Sequence, residues 1–143
     1  MESVFLNNIY YPLVTMVILT LLITLRLIYF STRAVLSGEV HIKHFRLFDD
    51  NIPEKNQAVS QHYKNMFELP LLFYVLCVLL IINNSATSLD VQFAWGFVIF
   101  RILHSIIRIP NKNVNLRYGF FIGSYIMLLG GWVNYIIFFN LLI

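Results

Sequence analysis

Only short polar connectors interrupt an otherwise apolar chain. Apolar residues dominate four stretches, roughly 4–33, 59–82, 91–109 and 114–142. About 20 helical residues cross the hydrocarbon core of a bilayer, so each stretch is long enough to span it. Composition agrees. The chain is 59% hydrophobic and 12% charged, whereas soluble domains are about half apolar and about a quarter charged. The first stretch is too long for a signal-peptide core and no small-residue cleavage pattern follows it. At 143 residues one domain is expected. The reading is an all-α chain, residues 1–143, folded as an integral membrane four-helix bundle of up-down-up-down order.

The connectors carry the sidedness. Ser37 to Gln57 is the one sizeable polar loop; Asn83 to Asp90 is a tight turn in which Ser88 or Asp90 can cap the next helix. Pro110 to Asn113 is tighter still. The ten basic residues are Arg26, Arg33, Lys43, Arg46, Lys55, Lys64, Arg101, Arg108, Lys112 and Arg117. All fall on or near the side of the first and third connectors. The positive-inside rule therefore places loops 34–58 and 110–113 in the cytoplasm and both termini opposite. In the first loop His41, His44, Asp49 and Asp50 have metal-ligand residue types but sit among polar loop residues, and no metal is assigned to them. Cys77 lies in an apolar run and reads as a packing residue.

Ionisable residues inside a span are costly and normally face a bundle interior in pairs. On the second span Gln61, Lys64, Asn65 and Glu68 share one helical stripe; on the third, Arg101, His104, Ser105 and Arg108 repeat the same offsets. At 1.5 Å per residue Glu68 lies about 9 Å beyond His62, and Arg101 about 12 Å inside Ile109. These matched depths predict a Glu68–Arg101 ion pair, either between spans two and three or across a subunit interface. Pro70, two residues beyond Glu68, removes a donor to the Met66 carbonyl and favours a kink. Plain alternatives stand beside this. Lys64, Arg108 and Arg117 can anchor helix ends at headgroups, Glu68 with Arg101 can be a structural pair, and His104 can be a core histidine. A cationic, partly dry pocket suits a carboxylate, phosphate or thiolate. Gly130 and Gly131 read as a close helix contact.

Asn-x-x-Glu on the second span (Asn65, Glu68), Arg-x-x-His on the third (Arg101, His104) and an arginine opening the fourth (Arg117) resemble the MAPEG family, the membrane-associated proteins in eicosanoid and glutathione metabolism. The resemblance covers essentially the whole chain, and FELPLLFYVLC (67–77) looks most like the family's bacterial branch. It implies a homotrimer with glutathione at subunit interfaces near the cytoplasmic face. It also implies glutathione-binding roles for Arg33, Gln61, Lys64, Asn65, Glu68, Arg101, His104 and Arg108. Arg117 matches an arginine near the thiol, where a cation stabilises the thiolate. Departures accompany the match: Gln61 stands where well-known members have arginine, Leu69 where several have tyrosine, Arg108 where glutathione-using members have tyrosine, and Tyr118 where one subgroup has serine.

The resemblance implies a glutathione-dependent transferase or peroxidase acting on a lipophilic substrate. A non-catalytic membrane protein that binds an anionic lipid or metabolite, or a structural trimer, is the alternative. A small transporter is disfavoured because the charges cluster at one face. No Ser-His-Asp ordering, phosphate loop or nucleotide fingerprint is present. The expected partners are the bilayer, further copies of the chain and a lipophilic small molecule, not nucleic acid.

Overall fold

The computed structural model describes residues 2–41, 53–110 and 112–142. These form α1 (Glu2–Leu36), α2 (Glu54–Ile82), α3 (Ser88–Arg108) and α4 (Val114–Leu142), with no strand among the described residues. Each helix contains a segment long and apolar enough to cross a membrane. The all-α four-span reading is therefore correct. Of the metal-like loop residues, His44, Asp49 and Asp50 lie outside the described residues, and His41 is exposed.

The helix ends follow local chemistry. α2 starts at Glu54, earlier than its apolar run, because Pro53 caps it and its carbonyl accepts from the Asn56 and Gln57 amides. α3 is capped by Thr87, not by Ser88 or Asp90, the two expected candidates, although Asp90 takes part in the cap. Thr87 Oγ1 accepts from the Asp90 amide at 3.3 Å and Asp90 Oδ2 accepts from the Thr87 amide at 2.8 Å, a reciprocal capping box. Two left-handed residues turn the chain, Gly38 (φ 75°) after α1 and Asn84 (φ 49°) after α2. α2 runs unbroken through Pro70, which is buried.

Helix packing sets a ring in the order α1, α2, α4, α3. The α3–α4 and α1–α2 interfaces are the largest, and α2 lies diagonal to α3. α1 contributes Ile9, Met16 and Ile23 to the core at seven-residue spacing. Across the diagonal Phe73 stacks on Phe97 at 4.6 Å. Cys77 is buried in this core, as its apolar run predicts. The outer surfaces are aliphatic, with Leu21, Leu25, Ile28, Ile99, Ile126 and Ile136 all exposed. Exposed aliphatic side chains on membrane-length helices suit lipid.

At the end away from the first connector, Asn134 of α4 donates to Asp90 Oδ1 at 2.8 Å and to Thr87 Oγ1 at 3.2 Å, and Asn83 donates to the Tyr135 hydroxyl at 2.8 Å. The α2–α3 turn is thus tied to α4. Along the α3–α4 seam, glycines and bulky residues face each other in one register. A Cβ on Gly130 would lie 2.6 Å from the Phe93 ring, one on Gly123 2.8 Å from the Phe100 ring, and one on Gly96 2.8 Å from Met127 Sδ. Small residues of this kind let membrane helices approach. Gly119 faces open space. Gly130→Ala and Gly123→Ala should each destabilise the detergent-solubilised protein by about 1–3 kcal/mol. Gly96→Ala should cost less, since a methionine end moves readily, and Gly119→Ala should be near neutral. Thermal unfolding of the four variants checks this ranking.

Candidate functional site

The polar residues gather at the end of the bundle where α1 finishes, α2 begins, α3 finishes and α4 begins. The α3 stripe is as expected. Arg101, His104, Ser105 and Arg108 are all buried on one face and turned into the subunit. The α2 stripe is not. The buried face of α2 carries Val59, His62, Met66, Pro70 and Phe73, while Gln61, Lys64 and Glu68 are exposed and Asn65 is partly buried. The two faces lie nearly half a turn apart, about 150° at 3.6 residues per turn. The expectation that the two stripes face one another is therefore corrected. α2 and α3 stand on a diagonal, and the donors of α2 point out of the subunit.

The consequence is plainest at Arg101. Its side chain is 0% exposed. Its guanidinium carbon lies 5.5 Å from the centre of the Phe97 ring and 5.3 Å from that of Phe121. Two aromatic faces therefore cushion the cation. None of its three nitrogens has a hydrogen-bond partner among the described residues. Glu68 therefore makes no hydrogen bond to Arg101 inside one chain, although its carboxylate is near enough to act on the Arg101 charge; the version across a subunit interface is a separate arrangement.

His62 occupies the position between stripes. A guanidinium only donates, so His62 Nδ1 accepts from Arg26 Nη1 at 3.2 Å. Nε2 then carries the ring proton and donates to Ser105 Oγ at 3.2 Å. One imidazole joins α1, α2 and α3. The His104 ring lies 6.5 Å away. His104 Nδ1 donates to the Arg117 carbonyl at 3.0 Å, tying α3 to the first turn of α4, and its Nε2 is buried without a partner among the described residues. Arg108 Nη2 donates to Gln61 Oε1 at 3.1 Å. Phe30 meets two cations, Arg26 at 5.6 Å and Lys55 at 4.7 Å.

The structure thus brings together Gln61, Arg101, His104, Arg108 and the Arg117 backbone. It leaves Lys64, Asn65 and Glu68 on the adjoining outer face, and puts Arg33 on the exposed side of α1, where it donates to the Tyr29 hydroxyl at 3.4 Å. Sequence reasoning missed His62 as a participant, and it placed Arg26 near this layer without giving it a partner. The signal for His62 was its phase, since it shares the helical face of Met66 and Phe73. Chemically the assembly is an arginine-rich layer closed on its inner side and donor-bearing on its outer side.

Fold and site together define an integral membrane four-helix protein with a polar layer at one end of its bundle. The MAPEG family profile matches residues 9–137, and the chain belongs to the MAPEG family. No curated protein and no solved structure matches the chain.

His62→Leu removes an acceptor for Arg26 and a donor for Ser105 in one step. It should lower stability by about 1–3 kcal/mol, the range for leaving a buried polar group unsatisfied. Ser105→Ala, which strips a single neutral partner, should lower it by about 1 kcal/mol. Denaturation in detergent, monitored by tryptophan fluorescence, measures both.

Proposed function

We propose that this chain is a glutathione-dependent transferase or peroxidase acting on lipophilic electrophiles delivered through the bilayer. The observation that carries the reading is the outward polar face of α2. Gln61, Lys64 and Glu68 are exposed on a helix that spans the membrane. Charged groups at that depth are expensive against lipid, so such a face calls for a covering partner or ligand. A second copy of the chain is the covering surface we infer, in a homotrimer, with glutathione held in the seam near the cytoplasmic end.

In this reading Asn65 and Glu68 meet the backbone and ammonium of glutathione, and Lys64 adds a cation. Arg117 stabilises the thiolate, and the His104 bond to its carbonyl holds that first turn of α4 in place. The thiolate then attacks an electrophilic carbon. A carbon–sulfur bond forms as the bond to the leaving group breaks, and that group departs with the electron pair. A cation beside sulfur raises the fraction of nucleophile at neutral pH. A second reading, a non-catalytic protein whose polar layer only orders a trimer, is favoured by one observation. Arg108 and His104 are both engaged in bonds inside the subunit.

Titration of the purified protein with glutathione, following thiolate absorbance and turnover of an aryl halide, separates the two. Binding at millimolar glutathione with turnover is expected, and an intact oligomer that binds none sinks the enzyme reading. Arg117→Leu should raise the pKa of the bound thiol by about one to three units. The thiolate would then persist only at higher pH, so the acid limb of the pH–rate profile should move upward by the same amount.

A further inference from the structure

Where the first connector leaves α1 and returns to α2, the two helix ends border a polar cavity of about 200 Å³. Phe30, Arg33 and Glu39 line it from the α1 side; Pro53, Lys55 and Asn56 line it from the start of α2. Asn56 is only 8% exposed. Among the described residues its side-chain amide makes no hydrogen bond, and only its backbone N–H is paired, with the Pro53 carbonyl. A buried amide left unpaired is costly. This one borders the cavity, where a ligand can satisfy it.

The cavity carries both signs of charge. Arg33 and Lys55 supply two cations. The first turn of α2 adds backbone N–H groups that have no intrahelical acceptor, since Pro53 offers no side-chain cap, and the helix dipole is positive at that end. Glu39 supplies a carboxylate. Glu54, the acidic residue of the same turn, is exposed and does not line the cavity. A simple anion would leave Glu39 opposed, whereas a zwitterion meets both signs. Depth narrows the choice. Arg33 lies in the last turn of the membrane-length α1, and Lys55 and Asn56 open the membrane-length α2. That is the level of lipid headgroups. Arg33 also lines a neighbouring groove on the outer face of α1, with Leu25, Ile28, Tyr29 and Leu36. One guanidinium thus stands between a polar cavity and an aliphatic groove, as a phosphate stands between the headgroup and the acyl chains of a phospholipid.

We infer that this cavity binds the phosphoethanolamine headgroup of a membrane phospholipid, its phosphate at Arg33, Lys55 and the first amides of α2, its ammonium at Glu39, and an acyl chain along the α1 groove. A primary ammonium donates hydrogen bonds to a carboxylate. Choline cannot donate, and is recognised instead by aromatic cages. Phe30 is the aromatic residue lining the cavity, and it already meets Lys55 at 4.7 Å and Arg26 at 5.6 Å. A lipid seated here ties the end of α1 to the start of α2 across the first connector. The inference does not depend on the glutathione reading.

The detergent-solubilised chain would be titrated with short-chain phosphatidylethanolamine while its thermal unfolding midpoint is followed, since a ligand of the folded state raises that midpoint. A saturable rise is expected. Short-chain phosphatidylcholine should give little at the same concentrations. Inorganic phosphate and free phosphoethanolamine, which lack acyl chains, should give none. Lys55 and Glu39 are both exposed, so variants there should melt like the wild type without lipid. Lys55→Gln removes a charge-assisted bond to the phosphate and should raise the half-saturating phosphatidylethanolamine concentration about tenfold. Glu39→Gln should weaken phosphatidylethanolamine binding and strengthen that of phosphatidylglycerol, whose headgroup carries the anion without the ammonium. Equal response to the ethanolamine and choline lipids overturns the inference, as does an unchanged lipid preference in Glu39→Gln or an unchanged affinity in Lys55→Gln. Phosphate or free phosphoethanolamine acting as strongly as the lipid also overturns it, and marks the cavity as a site for soluble anions.

Discussion

A guanidinium held inside an apolar bundle constrains everything around it. Arg101 is fully enclosed, with aromatic faces on two sides supplied by Phe97 of its own helix and Phe121 of α4. Burying a charge away from water is costly even after relaxation, so the neighbouring helices must be arranged around it. The polar residues nearby follow. His104 fastens α3 to the first turn of α4, His62 fastens α1 and α2 to α3, and Arg108 reaches α2 from within. One end of the bundle is consequently a hydrogen-bonded layer, while the middle is packed by Ile9, Met16, Phe73 and Phe97.

The features set by length and by single-helix rhythm were legible in the sequence. Four spans follow from apolar length alone. The α3 stripe follows from offsets, since Arg101, His104, Ser105 and Arg108 share a face that the structure turns inward. α2 was harder because it has two polar faces. The long side chains at positions 61, 64, 65 and 68 dominate its pattern, yet they point outward, while one histidine among Val59, Met66 and Phe73 enters the core. Rhythm assigns a face to each residue but not a neighbour to each face. The ring order that puts α2 diagonal to α3 depends on packing across the whole bundle. The α3 cap shows the same limit on a small scale: Thr87 and Ser88 are both capable, and the position of Asp90 three residues after Thr87 decides between them.

Membership of the MAPEG family rests on residues 9–137, and the polar end of the bundle includes positions where the sequence departs from the pattern of that resemblance. Two of these, Gln61 and Arg108, are hydrogen-bonded to each other.

The α3–α4 seam has a further consequence. Gly130 under Phe93 and Gly123 under Phe100 hold the two helices in a common register. Sliding α4 by a single residue would displace Arg117 by about 1.5 Å along the axis and swing it by about 100°. These glycines touch none of the polar layer, yet they work as its ruler: the distance between His104 and the start of α4 is measured out from the far half of the membrane.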